Sequence, residues 1–148
     1  MNTMYAVDHP SLRQLNEPPT PTIAGAKGSL TLVQHIAPIQ YPDHLGTLKI
    51  TKKETPLRRL SRIGKTLVPI NLHIAQMITA IKKTSAIPFT SEQKIFCLGT
   101  QWKDEAGLIW TPVLVYKDPD GWHLTYDTAN WSAPKNAYVG TGKIARTK

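Results

Sequence analysis

Twelve prolines set the limits on what this 148-residue chain can fold into. Proline fixes φ and removes a backbone donor, so it starts a helix, ends one, or breaks the interior of a sheet. Pro10, Pro18, Pro19 and Pro21 deny residues 1–28 a long helix or an inner strand. The stretch Glu17-Pro-Pro-Thr-Pro-Thr22 is expected to be extended, close to polyproline II. A short helix over Ser11–Asn16, capped by Ser11, is the helical option before it. Pro38 and Pro42 close the first strand candidate, and Pro69 and Pro88 close two helix candidates. Pro112 falls inside an apolar run, where it predicts an edge position or a bulge.

Between the prolines, hydrophobic periodicity assigns the elements. Ser29–Ile36 reads as a strand with Leu30, Leu32 and Ile36 on one face. Gly46–Lys53 alternates, with Leu48 and Ile50 pointing one way and Thr47, Lys49, Thr51 and Lys53 the other. Thr55-Pro56 has the form of an N-cap followed by Pro at the first helical position. Leu57, Leu60, Ile63 and Leu67 then recur at helical spacing, and Gly64 weakens that helix by about 1 kcal/mol relative to Ala. Asn71 caps a second helix with the apolar stripe Ile74, Met77, Ile78 and Ile81, and Lys82 and Lys83 stand in its last turn. From Lys94 the period changes to two. Strands are expected over Lys94–Trp102, Leu108–Tyr116 and Trp122–Asp127, joined by Lys103-Asp-Glu-Ala-Gly107 and Lys117-Asp-Pro-Asp-Gly121.

These elements imply one α+β domain over residues 29–131. It has short N-terminal strands, two helices, and a C-terminal three-stranded antiparallel meander packed on the second helix. A Pro-rich extended arm, residues 1–28, precedes it, and an irregular basic tail, residues 132–148, follows. A hydrophobic content of 41% fits a chain of which part is not core. The single cysteine, Cys97, rules out an internal disulfide framework. The N-terminus has neither a basic n-region nor an apolar h-region, and no apolar run approaches the ~18 residues of a membrane span, so an intracellular, cytoplasmic protein is expected.

Charge is distributed unevenly. Thr47–Lys83 contains nine basic residues and one acid, Glu54, which leaves +8; the whole chain also carries +8, so the remaining residues cancel. Lys49, Lys52, Lys53, Arg58, Arg59, Arg62 and Lys65 are the candidate binding residues. Strand Lys49/Lys53 and helix Arg58/Arg59/Arg62/Lys65 meet across a tight connection at Glu54, so their charged faces can merge. Phosphate backbones suit such a surface, because each neutralised phosphate releases condensed counterion and arginine presents a planar donor fork.

Other patterns carry less. Phe96, Trp102, Trp110, Tyr116, Trp122 and Tyr126 share parity, so a suitable register puts them on one sheet face, either as core or as a stacking platform for unpaired bases. Core is the favoured reading. Gly64-Lys65-Thr66 echoes a phosphate-binding loop but lacks the earlier Gly and the preceding strand. His9, His35, His44, His73 and His123 show no ligand spacing with one another or with Cys97. A Cys97–His123 nucleophile pair is outweighed by a buried small hydrophobe and a surface imidazole. Arg58-Arg59-Leu60-Ser61 matches a basophilic kinase substrate, a pattern common by chance. Asp104, Glu105, Asp118, Asp120 and Asp127 surround the hairpin turns. Only Asp104, Glu105 and Asp127 are placed to share an ion, and turn chemistry explains them without one.

The expected function is non-enzymatic nucleic-acid binding, to DNA or RNA, through backbone phosphates at residues 49–65, with no cofactor. The alternative is a structural or regulatory accessory protein, for example one encoded by a phage or mobile element. It would dock its arm and sheet on a larger assembly or an acidic protein. A small metal-dependent nuclease is the third reading.

Overall fold

The computed structural model describes residues 18–36, 45–51, 53–64, 66–81 and 89–143. The Ser11–Asn16 helix, the loop through Pro38 and Pro42, and Lys52, Lys65, Lys82, Lys83 and Pro88 lie outside the described residues. Among the described residues eight strands run in chain order: β1 (Thr31–His35), β2 (Leu45–Lys49), β3 (Leu67–Pro69), β4 (Lys94–Phe96), β5 (Thr100–Lys103), β6 (Ile109–Lys117), β7 (Gly121–Thr128) and β8 (Ala137–Lys143). Helix α1 (Pro56–Leu60) lies between β2 and β3, and α2 (Leu72–Thr79) between β3 and β4.

The hub is β6. Its sequence is apolar on both parities, and Trp110 through Leu114 are all buried, so it needs cover on both faces and partners on both edges. β7 pairs with one edge from Lys117↔Gly121 to Trp110↔Thr128. The other edge is shared. β4 pairs Ile95 with Leu114 and Phe96 with Val113, whereas β5 pairs Trp102 with Trp110 and Lys103 with Ile109. The five residues 97–101 therefore face only Thr111 and Pro112, a bulge with three extra residues.

Proline makes the bulge compatible with the ladder. The Pro112 carbonyl accepts from the Cys97 N–H at 2.8 Å. In an extended strand a residue's N and C=O face the same side, so the donor that Pro112 lacks would have pointed into the bulge. Thr111 Oγ1 fills the gap, lying 2.9 Å from both the Cys97 and the Thr100 carbonyl, which share its single hydroxyl proton. The expectation of a bulge at Pro112 is met, but the single strand expected over Lys94–Trp102 is divided in two by it.

From this division the sheet spreads in two branches. β1 continues antiparallel beyond β5. Beyond β4 comes β8, paired in parallel, and β8 in turn pairs antiparallel with β2 and β3. The α+β arrangement expected from the sequence is thus overturned. Strand makes up 40% of the described residues and helix 12%, and they form one curled, mixed eight-stranded sheet with two short helices. β6 and β7 do form a hairpin that contacts α2, but as part of this larger sheet.

Two local misreadings account for the difference. Residues 132–148 were expected to be an irregular tail, yet Ala137–Lys143 is β8, flanked by β4 on one side and β2 on the other. Gly140 and Gly142 interrupt its apolar pattern, and Gly140 does so for a packing reason. A Cβ there would come within 2.7 Å of the Ile70 and Ile95 side chains. The first helix was expected to run to Leu67. Thr55 does cap it, accepting from the Arg58 N–H at 3.1 Å, but α1 stops at Leu60. Gly64 has φ +88, a left-handed turn that ends helices, and Leu67–Pro69 is taken into the sheet by β8. The second helix keeps its expected cap, with Asn71 Oδ1 accepting from the Ile74 N–H at 2.9 Å. Ile74 and Ile78 are buried, whereas Met77 is half exposed.

The core lies on both sides of the sheet. Under α2 are Ile70, Ile74, Ile78, Ile95, Leu114 and Trp122; on the α1 side are Ile50, Phe96, Leu98, Val113 and Val139. Phe96, Trp102, Trp110 and Trp122 are buried and Tyr116 and Tyr126 half-buried, so these aromatic residues do not form an open platform. Trp102, Trp110 and Trp122 share one face by register, but Phe96 lies on the other. The odd number of extra residues in the bulge reverses the alternation between β4 and β5. No helix among the described residues is long and apolar enough to cross a membrane.

Gly99 carries the closest approach in the bulge. It donates to the Ile70 carbonyl at 2.8 Å, and a Cβ would stand 2.8–2.9 Å from the backbone of Ile70 and Asn71. Backbone cannot rotate away as a side chain can. Gly99→Ala is expected to lower stability by about 1–3 kcal/mol, read as a lower urea midpoint at unchanged slope.

Candidate nucleic-acid interface

The basic segment is built around one buried acid. β2 ends at the exposed Lys49, and Ile50 turns inward, its N–H donating to the Ala137 carbonyl at 2.9 Å. The chain then reverses at 51–54. The Glu54 N–H donates to the Thr51 carbonyl at 3.1 Å, and Glu54 Oε1 accepts from the Thr51 N–H and hydroxyl at 3.2 and 3.0 Å. Lys53, at φ +75, is exposed in this turn. Glu54 is buried, and its other carboxylate oxygen is paired with the Arg62 guanidinium.

The candidate residues therefore divide by role. Arg59 is occupied by backbone, with Nε donating to the Lys49 carbonyl at 3.0 Å and Nη1 to the Arg62 carbonyl at 3.1 Å. It clamps the end of β2 to the turn after α1. Arg62 lies beyond the helix and neutralises Glu54, so it does not continue a helical face with Arg58. Lys49, Lys53 and Arg58 are exposed and have no ion-pair partner among the described residues. Lys52 and Lys65 lie outside the described residues.

Two residues absent from the sequence-based set join the patch. The segment after β7 runs back along it, with the Leu57 N–H donating to the Ala129 carbonyl at 3.0 Å and the Ala133 N–H to the Glu54 carbonyl at 3.1 Å. Between those two bonds stands Trp131, with 65% of its surface exposed. Asn130 secures the segment from its other neighbour, accepting from the Ile109 N–H at 2.9 Å and donating to the Gly107 carbonyl at 3.0 Å. Further on, Lys135 lines a cleft of ≈ 550 Å³ with Lys49, Ile50, Ala133, Pro134 and Asn136. The signal for both was the run Trp131-Ser-Ala-Pro-Lys135. It is hidden when charge is summed over whole segments, because Lys135 is cancelled there by distant acids.

The remaining candidates have structural duties. Asp104 accepts from the indole N–H of Trp110 at 3.0 Å and from the N–H groups of Lys27, Ala106 and Leu108 at 3.1, 2.9 and 3.0 Å. These bonds, the Trp110 one foremost, hold its carboxyl below the ordinary range against the opposing effect of burial. Glu105 is held low in the same way by the hydroxyl and N–H of Ser29, at 2.7 and 2.9 Å. Both acids thus tie residues 27–29 to the β5–β6 turn. Asp127 Oδ1 accepts from the Thr128 N–H at 2.7 Å. Among the described residues no three His, Cys, Asp or Glu side chains group where they would hold a metal ion. Burial pushes the Cys97 thiol far up, which suppresses the thiolate a nucleophile requires. Comparison with protein families, curated proteins and solved structures finds no match for this chain.

Removing Arg62 leaves a buried carboxylate without its cation. Arg62→Ala is expected to cost about 1 kcal/mol, less than for a fully buried pair because the guanidinium is half in water. Arg58→Ala is expected to be neutral, and urea titration of the two variants checks the contrast. The acid turn gives a pH signature. The folded-state carboxyl of Asp104 titrates below its unfolded value of about 3.9, so unfolded chains take up its proton first. Its contribution is present at neutral pH and is lost as pH falls through the carboxylate range. The stability gap between wild type and Asp104→Asn is therefore expected to narrow from about pH 7 to about pH 3; a constant gap in urea midpoints would contradict this.

Proposed function

We propose that the protein is a non-enzymatic nucleic-acid-binding protein that holds backbone phosphates at the strand–turn–helix patch of residues 49–65. The observation that carries this reading is the exposure of Lys49, Lys53 and Arg58 around a turn whose sole acid is already neutralised by Arg62. Repulsion among such cations opposes the compact state, and a polyanion relieves it. Lys135, which lines the same cleft as Lys49, extends the positive surface by one more charge. Arg59 and Arg62 serve the site indirectly, by holding the turn in shape. On this reading the protein acts in the cytoplasm or in association with a virion.

Four phosphate contacts give a log–log salt slope of about −3.6 on duplex DNA, or roughly a 10²-fold loss of affinity between 50 and 200 mM salt. Fluorescence anisotropy with labelled oligonucleotides at the two concentrations measures it. Lys53→Glu with Arg58→Glu is expected to remove binding while leaving the thermal midpoint unchanged, since both side chains are on the surface. Binding that ignores salt, or none at low salt, sinks the proposal and favours docking on an acidic protein or a larger assembly.

A further inference from the structure

We infer that the nucleic acid held at this patch is an unpaired strand, one base of which stacks on Trp131. The inference rests on the phosphate-binding reading above and names its substrate class. Trp102, Trp110 and Trp122 are 0%, 8% and 5% exposed, whereas Trp131 is 65% exposed. Folding therefore buries every other indole of this chain and leaves this one in water, where its face is available. It is not on a loose end. The Leu57–Ala129 and Glu54–Ala133 backbone bonds and both Asn130 amide bonds hold the segment on each side of it. A platform held in this way loses little entropy when a base settles on it.

Position relative to charge gives the second argument. Glu54 and Leu57 are the bonded positions on one side of the contact, and Lys53 and Arg58 stand one residue outside them. Trp131 stands midway between the bonded positions on the other side. By position along the two paired segments, Trp131 thus falls between two exposed cations that have no ion-pair partner among the described residues, and single-strand binders combine such cations for phosphates with an aromatic face for bases. On the far side, Ala133 leads into the cleft, where Ile50, Ala133 and Pro134 are apolar and Lys49 and Lys135 are charged. Its volume of ≈ 550 Å³ suits one neighbouring nucleotide, being within the ~300–1,000 Å³ typical of small-ligand sites. In a duplex the bases are stacked on one another and cannot reach a surface indole.

The test uses the full chain with labelled oligothymidylate, oligouridylate and a duplex of equal length, at low salt. Single strands are expected to bind more tightly than the duplex and to quench tryptophan fluorescence. Trp131→Ala is expected to lower single-strand affinity about 10-fold or more, to leave duplex affinity unchanged and to abolish the quench. Trp131→Phe is expected to recover most of the affinity. Tighter duplex binding, or single-strand affinity untouched by Trp131→Ala, overturns the stacking inference while leaving the phosphate reading intact. Absence of binding to all three probes overturns both. Should Trp131→Ala fail to fold, the wild-type quench decides, and its absence on binding a single strand overturns the inference.

Discussion

The pairing of β6 along its inner edge is the constraint on which the other contacts depend. Nine residues of apolar strand cannot be satisfied by one partner there, because Pro112 offers no donor. The three extra residues opposite it turn one strand into two, β4 and β5, that diverge towards different neighbours. Everything beyond β6 on that side hangs from this division. Ile36 and Leu72 are drawn to the bulge as well, the first donating to the Gly99 carbonyl at 2.7 Å and the second to Thr100 Oγ1 at 2.9 Å. The bulge thereby joins the end of β1 to the start of α2.

The basic patch depends on the second branch. β8 sits between β4 and β2, so it fixes where β2 ends and where the turn at 51–54 begins. Ile50 pins the turn from below through Ala137, and Ala133 and Ala129 pin it from the side. With the backbone held, a buried carboxylate at Glu54 becomes tolerable, because three donors from Thr51 and Arg62 reach it. A charge removed from water without such partners would cost far more than one surface pair returns. Part of the positive charge of this segment is therefore spent on its own architecture, and the part that faces solvent is smaller than a count along the chain implies.

The same economy explains the acids. Asp104 and Glu105 lie at a turn where a carboxylate can accept from several N–H groups at once, and they fasten residues 27–29 across the sheet. Their role is to close a loop around Trp110 and the start of β6, and each bond they make removes a lone pair that a metal ion would need.

What could be read directly from the chain is local. The caps at Thr55 and Asn71 and the turn residues of the β6–β7 hairpin depend on residues a few positions apart, the irregularity at Pro112 on the missing donor of one residue, and the concentration of charge over 47–83 on composition alone. Interactions over three or four residues leave their mark in the order of residue types. The identity of β8, the early end of α1, the opposite faces of Phe96 and Trp102, and the use of Arg59 and Arg62 as internal clamps were decided by the tertiary structure. For β8 the deciding partners are the distant β4 and β2; for Arg59 and Arg62 they are Lys49 and Glu54, only ten and eight residues away, but brought within reach by the turn that the 129–133 segment holds in place. Glycine in β8 was ambiguous by itself, because flexibility and close packing use the same residue. Only the arrival of Ile70 and Ile95 against Gly140 distinguishes them, since register and contact between distant segments are set by mutual packing, which no single stretch of sequence contains.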